Sequence, residues 1–99
     1  KDWTYESWKK SKGKDYYLVQ ENIKLINKFL RPGTSILDVG CDIGLTVKAL
    51  EDAGYHSEGV ETSSIGAQIA KEKTRIKVSN IQLSDFKSDK KFDGVLLLD

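Results

Sequence analysis

The sequence predicts an α/β domain built on a parallel sheet. Three observations point there. Short apolar runs at residues 35–39, 57–60 and 92–98 read as strands. Amphipathic helical stretches lie before and after the first run. A turn bracketed by Gly40 and Gly44 joins the first strand directly to a helix. Strands alternating with helices favour parallel pairing through right-handed crossovers.

The elements follow in order. Residues 1–14, KDWTYESWKKSKGK, are polar and basic, with Trp3, Tyr5 and Trp8 interspersed. They read as a lead-in with a short helix whose aromatic rings pack on the outside of the domain. In the next stretch Val19, Ile23, Ile26 and Leu30 recur at helical spacing, and Leu18 and Phe29 widen the stripe. Asp15 is the expected N-cap, and Pro32-Gly33 ends the helix. Residues 35–39 form the first strand. Residues 45–53 form a helix with Leu45, Ala49, Leu50 and Ala53 on one face and Gly54 as its stop. A second strand centres on residues 57–60. Ser63 or Ser64 then caps a helix reaching about Lys73, with Ile65, Ile69 and Ala70 turned inward. Residues 75–79 form a short third strand. A loop of about twelve residues leads to the fourth strand, residues 92–98; loops of that length are often functional.

Ninety-nine residues suffice for one small domain or part of one. The net charge of +1 gives no bulk drive toward nucleic acid or membrane. Charge is uneven, at +4 over residues 1–34 and −3 over residues 35–99; the basic lead-in reads as a solvated surface. Cys41 is the only cysteine, which excludes an internal disulfide and fits a reducing, cytoplasmic setting. No apolar run approaches the ~20 residues a membrane span needs, and no signal-peptide pattern opens the sequence. Methionine is absent even at position 1, and residues 92–98 read as a fully buried strand with nothing after it to cover it. Both features suggest the front part of a larger domain. The fourth strand would then expose an apolar edge, a route to self-association.

The chemistry concentrates in ILDVGCDIG, residues 36–44. Glycine is wanted where φ is positive or a ligand approaches the backbone. The turn ends a central strand, the usual ligand position in open α/β sheets. The helix behind it points N–H groups at the same place, which suits an anionic group. Glu61 ends the second strand, beside the turn in a parallel sheet, where an acid can accept both ribose hydroxyls of a nucleoside. The spacing is G-x-x-x-G, not the dinucleotide G-x-G-x-x-G, and Asp38 stands two residues before the first glycine. A carboxylate there would repel a pyrophosphate and suit a ligand with a cationic amino group.

ILDVGCDIG resembles the first motif of class I S-adenosylmethionine-dependent methyltransferases, a strand ending in L-D-x-G-C-G-x-G. GVETSSIGAQIAKEK, residues 59–73, resembles the second motif, and KFDGVLLLD, residues 91–99, resembles the fourth strand. The resemblance runs over residues 34–99 and leaves residues 1–33 as lead-in and amphipathic helix. It implies a Rossmann-like sheet of order 3-2-1-4 with flanking helices, truncated after the fourth strand, and S-adenosylmethionine as cofactor. Asp38 and the Gly40 backbone would face the methionine amino group. Cys41, Asp42 and Gly44 would complete the turn, with the helix start near the carboxylate. Glu61 would take the ribose hydroxyls and Thr62 would lie against the adenine. The adenine's amine would meet Gln82 by one register or Asp85 by another; Gln82 is preferred, with the Leu83 backbone beside it. Asp99 would border the methyl group.

Asp42 departs from the family pattern, which has glycine there. Asp enters the left-handed region more readily than most residues, so the turn is expected still to hold the cofactor. Cys41 reads as a turn filler, since no activating partner is evident. No His/Cys cluster suggests a metal. A small-molecule methyl acceptor is expected, and no catalytic base is assigned. Two other readings stay open: a methyltransferase fold kept as a scaffold, and a nicotinamide-nucleotide-binding domain.

Overall fold

The computed structural model describes residues 3–98. Thr4 caps the first helix, α1 (Tyr5–Ser11), through a reciprocal pair of bonds with Ser7. Tyr5 and Trp8 do not line the outside of the domain. They are buried in the main core with Val19, Ile23, Ile36 and Leu50, and the Tyr5 hydroxyl donates to Asp52 at 3.1 Å.

The second helix, α2 (Lys14–Asn27), buries Val19, Ile23 and Ile26. Its N-cap is Gly13; Asp15 lies within the first turn. Leu18 and Phe29, expected on the apolar stripe, are exposed. The buried face is thus a narrow seam, leaving the flank that carries Leu18 free for another use.

Four strands follow, β1 (Ser35–Val39), β2 (His56–Val60), β3 (Val78–Ser79) and β4 (Gly94–Leu96). They pair in parallel in the order β3-β2-β1-β4, the expected order. Helix α3 (Leu45–Asp52) crosses from β1 to β2 and buries Val47, Ala49 and Leu50. Val47, fully buried, was not on the predicted face. It joins Cys41, Ala70 and Ile76 in a second apolar cluster.

Helix α4 (Ser64–Ile69) is capped by Ser63, whose hydroxyl accepts from Gly66 N–H. It then widens into a π-helical turn over Ala70–Thr74. The buried face carries Gly66, Ala67 and Ala70, and Ile65, expected to turn inward, is exposed. The Thr74 hydroxyl donates to Ile43 O, 2.6 Å away in the β1–α3 turn. Arg75 leaves the turn in the left-handed region, and Ile76 plugs the second cluster. Pairing therefore begins only at Val78, so β3 is shorter than expected.

β4 is not fully buried. Its Leu96 packs on the main core, while Val95 and Leu97 are exposed. A Cβ on Gly94 would come within 2.7 Å of Leu30 Cδ1, so a larger residue there would displace the end of that side chain.

Candidate functional site

The β1–α3 turn is held from three sides. Gly40 N–H and Cys41 N–H both donate to Val60 O, at 2.8 and 3.1 Å, prolonging the β1–β2 ladder past its last strand residue. Gly44 N–H closes the turn onto Cys41 O at 2.9 Å. Thr74 braces Ile43 from behind. Gly40 and Gly44 both have positive φ, for different uses. A Cβ on Gly44 would strike Ile76 at 2.6 Å, so this glycine serves packing. A Cβ on Gly40 would meet nothing within 4 Å, which leaves its backbone open to a ligand.

Asp42 adopts φ 52, in the left-handed region, where strain for a non-glycine residue is on the order of 1–3 kcal/mol. Two features accommodate it. Its N–H donates to Glu61 Oε1 at 2.6 Å, a charge-assisted bond. Its own carboxylate lies where a Cβ on residue 66 would stand, 2.7 Å from that position, and residue 66 is glycine.

Glu61 is nearly buried, and its second oxygen accepts from Ser63 N–H at 2.8 Å. Both oxygens are thereby oriented, with lone pairs left for further donors. Asn80 ties this region to the loop after β3, donating to Glu61 O at 2.8 Å and to Thr62 O at 3.2 Å. Thr62, Gln82 and Leu83 are exposed. Gln82 and Leu83 lie just beyond Asn80, at the start of a 3-10 turn (Leu83–Asp85). Asp99 lies outside the described residues.

Asp38 is 3 % exposed, and its Oδ1 is buried without a hydrogen-bond partner. Burial, and then the charge of Glu61, push its pKa up to about 6. Cys41 is pushed up to about 12 by burial, then by Asp38, Glu61 and Asp42, so it stays a thiol. It packs where a Cβ on Gly59 would otherwise stand, as a turn filler would.

Asp38, Gly40, Cys41 and Asp42 line one cleft of about 230 Å³ with Ile43, Leu45, Thr46 and Leu98. Asp15, Leu18, Val19 and Asn22 of α2 form its other wall. Gln82 and Leu83 do not border it. Sequence reasoning missed the α2 wall and Asn80, and it read Ser63 only as a helix cap. The one signal for that wall was a polar face, Asp15 and Asn22, beside a helical stripe. Among the described residues no group of three or more His, Cys, Asp or Glu is placed to hold a metal.

Residues 12–99 match the family described as "Methyltransferase domain". The chain belongs to that family. Solved structures agree with the fold of this methyltransferase domain. A TehB-like SAM-dependent methyltransferase from Corynebacterium glutamicum is 27 % identical with a TM-score of 0.63, over 73 % of this chain and 40 % of that one. The PH0226 protein from Pyrococcus horikoshii is 26 % identical with a TM-score of 0.70, over 85 % and 43 %. Magnesium protoporphyrin IX methyltransferase from Synechocystis, solved with bound SAM, is 20 % identical with a TM-score of 0.65, over 80 % and 41 %. The methyltransferase domain described here thus spans less than half the length of these structures. A search among curated proteins returns no match. No helix among the described residues is long and apolar enough to cross a membrane.

Proposed function

We propose that this chain is the S-adenosylmethionine-binding part of a methyltransferase acting on a small-molecule acceptor in the cytoplasm. The observation that carries the reading is the unpartnered, buried Oδ1 of Asp38 at the wall of a cleft without a base. A buried polar atom left without a hydrogen bond costs about 1–3 kcal/mol, and an ammonium group would supply the missing donors. Gly40 beside it leaves the room an approaching ligand needs.

The roles follow from position. Asp38 and the Gly40 backbone would hold the amino group. The start of α3, whose cap Gly44 offers no side chain to its N–H groups, suits the carboxylate. Glu61, braced by two backbone N–H groups, would accept from the ribose hydroxyls. Thr62 would lie against the adenine, with Gln82 and the Leu83 backbone at its edge and Asp99 toward the methyl group. When bound, the cofactor would supply an electrophilic methyl on a sulfonium for transfer to the acceptor. The protein's share is alignment.

The scaffold reading drew its main support from Asp42. With Gly66 making room and Glu61 receiving its N–H, Asp42 no longer argues against a ligand. Calorimetric titration with S-adenosylhomocysteine tests the proposal, repeated with Glu61→Ala. Binding weakened at least about tenfold by the substitution supports the ribose role. Binding of NAD in place of S-adenosylhomocysteine, or of neither, would overturn the reading.

A further inference from the structure

The β1–α3 turn is soft where it stands alone. Gly40 and Gly44 both have positive φ, and glycine passes between backbone wells at little cost. Much of what fixes the turn comes from one remote stretch, residues 66–76. Gly66 leaves room for the Asp42 carboxylate, since a Cβ there would stand 2.7 Å from Asp42 Oδ1. Thr74 donates to Ile43 O at 2.6 Å. Ile76 packs on the bare Cα of Gly44, where a Cβ would stand 2.6 Å from Ile76 Cδ1. Asp42, Ile43 and Gly44 are consecutive, so each peptide of the turn is met from behind by the segment that follows β2.

Only one of these contacts is directional. A notch and an apolar contact resist displacement, but a short hydrogen bond also fixes where a carbonyl points. Ile43 O lies one residue ahead of the α3 ladder, whose first bond runs from Lys48 N–H to Gly44 O at 2.9 Å. Thr74 supplies its partner from 31 positions along the chain. Thr74 is fully buried and ends the π-helical turn, a widening found often at functional sites. The peptide is planar, so holding Ile43 O backward sends Gly44 N–H the opposite way, onto Cys41 O at 2.9 Å. The first N–H groups of a helix have no partner within it. In α3 these belong to Leu45 and Thr46, and both residues line the cleft.

We propose that Thr74 is the positioning residue for the carboxylate end of the bound cofactor. It does not line the cleft; it borders a separate groove behind the turn, with Trp3, Lys48 and Arg75. It acts through the Ile43–Gly44 peptide, which it holds so that the start of α3 presents its N–H groups to the ligand. This role rests on the cofactor reading above and adds to it which end of the ligand is supported, and by which residue.

The test compares two ligands on the complete natural protein by calorimetric titration. One is S-adenosylhomocysteine. The other is its decarboxylated analogue, which keeps the nucleoside, the thioether and the amine. Thr74→Val removes the hydroxyl at nearly constant size. It should weaken S-adenosylhomocysteine about tenfold, near 1.4 kcal/mol, and the analogue less than about twofold. Thr74→Ser keeps the hydroxyl and should bring S-adenosylhomocysteine back to within about threefold of the unchanged protein. If Thr74→Val does not fold, Thr74→Cys carries the test, because a thiol is a weak donor; the same split is then expected at about threefold. An equal loss for both ligands, no loss for either, or no rescue by serine would overturn the positioning role and leave the cofactor reading standing. Failure of S-adenosylhomocysteine to bind the unchanged protein would overturn the cofactor reading, and the positioning role with it.

Discussion

Asp38 and Glu58 are both carboxylates, both 3 % exposed, and both on central strands of one sheet. Their surroundings are opposite. Glu58 shares its face with Leu37 and Val95 by register. It receives Lys90 at 3.1 Å and Lys77 at 3.7 Å. Asp38 lies on the other face, near the strand's end, with an oxygen that no partner among the described residues satisfies. One buried acid is completed by the fold. The other keeps a buried oxygen without a partner among the described residues. Burial alone therefore does not mark a functional acid; the missing partner does.

The largest expected contrast is in ligand binding. Asp38→Ala should cut S-adenosylmethionine affinity about a hundredfold or more, near 3 kcal/mol. Glu58→Ala should leave it within about twofold while lowering stability. Titrating both variants checks this, and equal losses would erase the distinction between the two acids.

Next comes Gly59, which stands across the ladder from Asp38 and beside Glu58 in β2. A Cβ there would sit 2.3 Å from Cys41 Sγ. Gly59→Ala should cost about 1–3 kcal/mol in denaturant unfolding, as overpacked cores do. Adding Cys41→Gly should recover much of that loss. Recovery would show that the damage is steric and leaves the two acids' own energetics unchanged.

The acids should also differ in pH response. Burial, and then Glu61, raise the pKa of folded Asp38 to about 6 from its ordinary value of 3.8. The folded chain then holds more protons than the unfolded one between those values. Stability of the ligand-free chain should fall as pH rises from about 4 to about 6 and level off above, a loss on the order of 2–3 kcal/mol. Asp38→Asn should remove most of this loss, raising stability at pH 8 and changing little at pH 4. Ligand affinity should run the other way, rising up to about pH 6, because only the ionised acid pairs with an ammonium. Thermal melts and titrations across that range check the two slopes.

The smallest effect belongs to Lys90→Ala. Lys90 is itself 42 % exposed, so solvent screens the pair and the expected loss is about 0.5–1 kcal/mol. A larger loss would mean that Glu58 is completed chiefly by Lys90 and little by Lys77.

Much of the site was legible because it is local. A strand, two glycines and a helix in nine residues predict where a turn opens and which backbone stays bare. Glu61 could be placed beside that turn from parallel pairing alone. Asp42 looked like a defect because its remedy, Gly66, lies one helix further on. Leu18 and Phe29 were read into the core because helical spacing marks neighbours on a face; it does not say how wide a strip the rest of the protein covers. The same limit hid Asp15 and Asn22. Their place in the cleft depends on how α2 lies across the end of β1.

The sequence by itself determined the alternation of strands and helices, β1 to the residue, and the glycine turn with an acid at the end of the next strand. These follow from period-2 and period-3.6 patterning and from backbone stereochemistry, which act within a few residues. The tertiary structure alone decided that Tyr5 and Trp8 are core, that Glu58 is paired and Asp38 is not, and that α2 supplies a wall of the cleft. Those outcomes depend on contacts such as Lys90 to Glu58, 32 residues apart. Burial and charge compensation are properties of the assembled layers, and no local pattern encodes them.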